Sequence, residues 1–377
     1  MTTDKHNKRP NVPPLRFPEF TDEWKRTSIG ECCSSLEYGM NAAAKEYDGR
    51  NKYIRITDID ETTSKYCNDD VVSPSGELED KYLVRENDIL FARTGASVGK
   101  TYHYDISDGK LYFAGFLIRG NVLSCYNSKF VFYQTQLSRY EKWVKVMSAR
   151  SGQPGINSQE YEGFNLFMPT RFEQDKIESF ISLLDRRIEV QSGLINKLES
   201  LISGIIERLT AQSPNVRISD CLECHSSTLQ ENQLNDTGGY RVYGANGICG
   251  YTDSPGINGD AILIVKDGSG VGNVSYAIGE YSVIGTSNYL TAKNGYSLRY
   301  LYYSLMKFNF APYKTGMAIP HIYFKDYGKA KIYCPSLEEQ ERIASNLSKI
   351  ERKIEIERSI KDNCIMQKQY LLQQMFI

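Results

Sequence analysis

Two distant stretches of this 377-residue chain carry the same succession of markers, and this repetition limits the possible folds more than any other feature. Asp88–Lys100 reads DILFARTGASVGK and Asp260–Asn273 reads DAILIVKDGSGVGN, so that Gly95, Val98 and Gly99 fall on Gly268, Val271 and Gly272 at one constant offset. Phe164–Pro169 (FNLFMP) matches Ala330–Pro335 (AKIYCP) at a slightly shorter offset. That offset continues through Glu173–Ile177 (EQDKI) against Glu339–Ile343 (EQERI), and Asp185–Glu189 (DRRIE) against Glu351–Glu355 (ERKIE). Several markers in one order mean two tandem copies of one unit.

Each copy opens with strand text. YIRITDID (Tyr53–Asp60) and YFAGFLIRGNV (Tyr112–Val122) in the first copy are rich in β-branched and aromatic residues and broken by Gly, Asn and Asp. YRVYGANGICGY (Tyr240–Tyr251), AILIV (Ala261–Val265) and YSVIG (Tyr281–Gly285) have the same texture in the second. Each copy then closes with a helix, entered after Pro169 and Pro335 through a Glu-rich first turn. In the first helix Ile177, Ile181, Leu184, Ile188, Gln191, Ile195, Leu198, Ile202, Ile205 and Leu209 alternate spacings of four and three. That is a coiled-coil seam with Gln191 as a polar register pin. The second helix offers Ile343, Leu347, Ile350, Ile354, Glu357, Lys361, Cys364, Lys368, Leu371 and Met375. Its middle is polar, and there Ile356, Ile360 and Ile365 are the alternative inward set. Neither stripe can be buried alone, and each helix is the other's partner. The fold class is therefore α+β, with two mixed α/β domains at 1–170 and 214–336 and long helices at 171–213 and 337–377.

Hydrophobic residues make up 41% and charged residues 24%, which is ordinary globular usage. The longest aliphatic run, AILIV, is far short of the roughly 18 residues that a membrane span needs. The polar start, MTTDKHNKRP, lacks the apolar core of a secretory signal, and nine scattered cysteines read as free thiols. The expectation is a cytoplasmic protein, not tied to a membrane. With 45 basic and 46 acidic residues the net charge is −1, so any DNA binding must come from local surfaces or from partners.

Several segments resemble chemical motifs. TGASVGKT (Thr94–Thr101) is one residue short of a P-loop counted from Gly95, and the second copy carries Asn273 in place of the lysine. A tight glycine turn between strands is the better reading, one whose backbone amides could approach DNA phosphates. Cys221-Leu-Glu-Cys224-His225 has the C-x-x-C-H spacing of haem attachment, but the repeat places Ile218–Cys221 over Ile29–Cys32, as the start of the second copy. Metal ligands are expected to be absent. Four histidines, no [DN]-P-P-[YF] segment and no catalytic motif supported by context indicate no catalytic residues.

With these residues in hand, the chain resembles the specificity (S) subunit of type I restriction-modification systems. The resemblance rests on LRFPEFTDEWKRTSIGE (Leu15–Glu31), YIRITDID, the R-T-G-A-S-V-G-K turn, SGQPGIN (Ser151–Asn157) and PTRFEQDKIESFISLLDRRIE (Pro169–Glu189). YGANGICGYTD (Tyr243–Asp253) and PSLEEQERIASNLSKIERKIE (Pro335–Glu355) extend it over nearly the whole length. The second copy departs in reading TGMAIPHI (Thr315–Ile322) against SGQPGIN, as two units that read different DNA would. The resemblance implies that each α/β unit is a target recognition domain for one half of a gapped double-stranded DNA site. It further implies that the helices pack as an antiparallel coiled coil with pseudo-twofold symmetry and dock two copies of a modification methyltransferase subunit. A separate restriction/translocase subunit would cut. The chain itself would hold no cofactor, with S-adenosylmethionine, ATP and Mg2+ belonging to partner subunits.

Base reading wants Arg, Lys, Asn, Gln, Ser or Thr on loops at the groove edge. The candidates are Arg93, Thr94, Ser97, Lys100, Arg150, Ser151 and Gln153 in the first unit, and Tyr243, Asn246, Lys266, Ser269, Lys314, Thr315 and His321 in the second. The other class of function compatible with this sequence is a protein-interaction scaffold with duplicated binding domains and no DNA specificity.

Overall fold

The computed structural model describes residues 11–149, 153–316 and 319–377. The chain folds as two units, the first running through Val190 and completed by Lys361–Ile377, the second comprising Gln191–Ile360.

In the first unit four strands lie in the order Cys33–Tyr38, Leu117–Val122, Asp88–Ala92, Thr101–His103, each pair antiparallel. Asp88–Ala92 is buried at every position, which explains why a continuous apolar run marks it rather than an alternating one. Ile89, Phe91 and Ile118 face a core shared with Phe130, Val131 and Tyr133 of the helix Ser128–Gln134. Leu90, Ala92 and Leu117 face the opposite core, which includes Ile54, Leu111 and Phe113 from the parallel pair Lys52–Ile54 and Leu111–Phe113.

The second unit is built alike. Its strands run Leu222–Ser226, Ser287–Ala292, Ala261–Val265, Val274–Ala277, again all antiparallel. Tyr240–Gly244 pairs in parallel with Glu280–Val283, as Lys52–Ile54 does with Leu111–Phe113. Ile262 and Ile264 pack with Tyr300, Leu301 and Tyr303 of the helix Leu298–Met306. Ile29–Cys32 and Ile218–Cys221 form the same one-turn helix at the head of each unit.

The long helices span Arg171–Thr210 and Leu337–Met375, and each unit takes a part of both. Every position of the expected stripe from Ile177 to Leu209 is buried or half-buried, and so is every position from Ile343 to Met375. The polar middle of the second helix keeps the stripe instead of turning to Ile356, which is 48% exposed. In the first unit Ile177 and Ile181 share a core with Leu372 and Met375, and Asp185 pairs with Lys368 at 2.6 Å. Positions rise along one helix as they fall along the other, so the helices run antiparallel there. In the second unit Ile195, Ile202 and Ile206 pack with Ala344, Leu347 and Ile354, each burial being worth about 1.5 to 3 kcal/mol for a large aliphatic side chain. In the same unit Gln191 donates from Nε2 to the buried Glu357 carboxylate, which Lys353 also pairs.

The repeated Glu-Gln marker has a structural reason. Gln174 and Gln340 are both buried, and each donates to the carbonyl of the proline before its helix, Pro169 and Pro335, at 2.9 Å. Their Oε1 atoms accept from the backbone N–H of Asn127 (2.9 Å) and Ser297 (3.0 Å), the caps of the two domain helices. About three turns further along each long helix, Tyr133 donates to Asp185 and Tyr303 to Glu351, both at 2.6 Å. Each domain helix is thereby fastened to the long helix by the same polar contacts, which water does not compete for as freely as at an exposed site.

Candidate nucleic-acid interface

Each unit brings two loops together by main-chain hydrogen bonds. In the first, Gly95 N–H donates to Pro154 O at 3.0 Å and Ile156 N–H to Arg93 O at 2.9 Å. In the second, Gly268 N–H donates to Pro320 O at 3.0 Å and Ile322 N–H to Lys266 O at 2.9 Å. The glycine turn is thus stitched to the very segments, QPGIN and PHI, that diverge between the copies. Both turns close with the same internal bonds, Val98 to Gly95 and Gly99 to Ala92, Val271 to Gly268 and Gly272 to Val265. Gly99 has φ +87°, and a Cβ there would meet Val144 Cγ1 at 2.5 Å, so no other residue fits the turn. The amides of Gly95, Val98, Gly99 and Lys100 donate to protein carbonyls, so these four are engaged within the protein.

In the first unit Arg93 places its guanidinium 4.8 Å from the Tyr38 ring and donates once to Gly115 O at 3.3 Å. A guanidinium has five N–H donors, so one bond to Gly115 O leaves others for a ligand. Burial would raise the Tyr38 phenol, but the hydrogen bond from Ser158 N–H and the Arg93 charge outweigh it and hold the group below its ordinary value. Thr94 bridges Gly155, and Gln153 lies over Gly95, its Nε2 3.3 Å from where a Cβ would stand. Ser97 sits within the turn, and Lys100 pairs with Glu61 at 2.8 Å. The structure brings Arg93, Thr94, Ser97, Lys100 and Gln153 into one loop pair. Arg150 and Ser151 lie outside the described residues.

In the second unit Lys266 pairs with the adjacent Asp267, and Ser269 is exposed in the turn. Thr315 and His321 bond reciprocally through their backbones, at 2.9 and 2.8 Å, and Asp267 forms a further bridge to His321. Lys314 is exposed at the start of that segment. Asn246 is exposed in the hairpin turn after Tyr240–Gly244, and the neighbouring Ala245 lies 3.6 Å from where a Cβ on Gly270 would stand. Tyr243 is half-buried, edge-on to Tyr281 at 5.6 Å, and so belongs more to the wall of the site than to its rim. His225 stacks on Tyr289 at 4.8 Å and bonds Thr291 across the sheet at 3.0 Å, which makes the C-x-x-C-H segment a strand. Among the described residues no group of three His, Cys, Asp or Glu is placed to hold a metal, and no helix is long and apolar enough to cross a membrane.

Sequence reasoning missed Tyr38 and Phe116, the latter 60% exposed beside Arg93, whose N–H donates to Phe116 O at 3.0 Å. Each stands next to a turn glycine, Gly39 or Gly115, and an aromatic in that position between strands is the signal that would have found them. Glu61 and Asp267, the carboxylates that hold Lys100 and Lys266, had no marker of any kind.

A duplicated α+β unit with one loop framework in both copies and a part in two long helices defines a tandem scaffold class. The family model described as Type I restriction modification DNA specificity domain matches residues 21–200 and 214–364, and the chain belongs to that family. Over 112 residues, 30% of its length, the chain is 27% identical to the type I restriction enzyme EcoprrI specificity subunit of Escherichia coli. That match spans 28% of the relative's own length. In fold the chain is similar to the type I restriction-modification S subunit from M. genitalium, with TM-score 0.67 and 18% identity, covering 97% of this chain and 99% of that one. A chain from a structure concerned with complex assembly and conformational transition of the type I R-M system gives TM-score 0.53 at 15% identity, covering 94% and 97%. At these identities the likeness is one of fold.

Proposed function

We propose that this chain is the DNA-specificity subunit of a type I restriction-modification complex, each unit reading one half of a gapped double-stranded site. The observation that carries the reading is the shared loop framework: identical main-chain bonds in both units present Arg93, Thr94 and Gln153 on one side and Lys266, Asp267 and Ile319 at the equivalent places on the other. A constant scaffold with variable side chains is what two different half-sites require. Catalysis, with S-adenosylmethionine, ATP and Mg2+, belongs to partner subunits in this reading. Two modification subunits dock along the helices, where Leu183, Val190, Leu201 and Met366 are exposed apolar residues, and a restriction/translocase subunit joins them. The recognition domains are 1–170 and 214–336, with the helices between and after them as spacers.

The test is co-expression with candidate modification subunits and mapping of methylated adenines, before and after exchanging Asn215–Pro335 for the same segment of a relative. One half of the methylated sequence should change and the other persist. A change in both halves would refute the modular reading. Absence of any sequence-selective DNA capture by the complex would favour a protein-interaction scaffold.

A further inference from the structure

The two units differ in one respect that the hydrogen-bonding candidates do not express. At the end of the first sheet, Arg93 lies next to Phe116, and the pairs Ala92–Leu117 and Phe91–Ile118 continue inward from them. Tyr38 pairs with Ile118 on the neighbouring strand. Side chains at alternate positions share a face, so Tyr38 and Arg93 carry the face of Phe91 and Ile118 out to the paired loops, the guanidinium lying 4.8 Å from the Tyr38 ring, and Phe116 stands in the turn beside them. At the same places the second unit has Ser226, Lys266 and Thr286: Ser226 pairs with Asn288, Val265 with Ser287, and Lys266 N–H donates to Thr286 O at 2.9 Å. One rim is aromatic and the other is polar.

Phe116 is 60% exposed, yet its backbone is held firmly. Leu117 N–H donates to Ala114 O and Gly115 N–H to Met40 O, both at 2.8 Å, and the Arg93 guanidinium donates to Gly115 O. A ring at this exposure leaves apolar surface in water and contributes little to the core. The Phe116 backbone carbonyl accepts from Arg93 N–H at 3.0 Å and the Arg93 guanidinium reaches the adjacent Gly115 O, so the ring stands beside a side chain suited to base edges. In the major groove the one apolar feature that distinguishes a base pair is the C5-methyl group of thymine, and Phe is among the side chains that contact it. A short, rigid turn holds the ring at the protein surface, which suits contact with a groove edge rather than insertion between base pairs.

We propose that Phe116 reads a thymine methyl in the half-site of the first unit. This rests on the DNA-specificity reading above. The experiment uses the full complex with its modification subunits and duplexes in which each thymine of the first unit's half-site (the half that persists when Asn215–Pro335 is exchanged) is replaced in turn by deoxyuridine, which removes only the methyl. One replacement should weaken binding about fourfold, the worth of one buried methyl group. The Phe116→Ala complex should bind thymine and deoxyuridine duplexes alike, Phe116→Leu should keep part of the discrimination, and both should melt with the parent. Equal binding of all deoxyuridine duplexes by the parent complex, a half-site without thymine, or a Phe116→Ala complex that retains the penalty would each overturn the inference while leaving the functional reading intact. No sequence-selective binding by the parent complex would overturn the reading itself, and the inference with it.

Discussion

His103 bonds Ser128 Oγ at 2.9 Å through Nε2 and lies against Phe132, and burial, helped by the Lys129 charge, pulls its pKa down to about 4. The ordinary histidine value is about 6.5, so the unfolded chain binds a proton here at pH values where the folded chain does not. This contribution to stability is complete above the unfolded pKa and is lost as pH falls from there towards 4. The loss should amount to about 2 kcal/mol at pH 5. Thermal melts at pH 7.5 and pH 5 should show a smaller loss on acidification for His103→Gln than for the parent, and an unchanged pH dependence would remove His103 from the account. His103 was visible in the sequence only as one of four histidines; its environment comes from a helix whose contacts no local pattern records. Arg93 and Thr94 were legible, because a basic and a hydroxyl residue beside a turn glycine state their chemistry locally. Their partners were not: Tyr38, Gly115 and Glu61 reach the loop from elsewhere in the chain.

At the scale of elements the stripe on the long helices was the most legible feature, since alternating spacings of four and three admit one regular surface. It was incomplete in one place. Ile206 falls beside the seam at Ile205, yet it is 1% exposed and packs in the domain core of its own unit with Ile218 and Tyr300. Glu357, a polar member of the stripe, is buried as the stripe requires, and Gln191 and Lys353 satisfy its carboxylate. A buried charge is tolerated only while its partners remain. Gln191→Leu should therefore destabilise the second unit by about 1 to 3 kcal/mol, and replacing both Gln191 and Glu357 with Leu should recover most of the loss. Urea unfolding midpoints decide the matter; a double variant no more stable than Gln191→Leu would show that the pair does not hold this layer.

At the scale of the whole molecule, duplication was plain from ordered markers, whereas the joining of each glycine turn to a loop far along the chain rests on main-chain bonds that leave no trace in residue type. If the two units read two half-sites, the helices that both share should govern the distance between those half-sites. A heptad inserted into each long helix keeps its stripe in phase and lengthens it by about 10 Å at roughly 1.5 Å per residue. With about 3.4 Å per base pair, the methylated sequence should keep both halves and widen its gap by about three base pairs. A folded, active insertion variant that methylates the original spacing would refute this. The loop framework has a consequence for descent as well. Because the bonds at Arg93, Ile156, Lys266 and Ile322 run between backbone atoms, the side chains at positions 93, 94, 97 and 153 can drift without touching what holds the loops in place. A lineage carrying this fold can then exchange one readable sequence for another in single steps, every intermediate folded, so novelty in what is recognised accumulates independently of the slow change permitted in the cores.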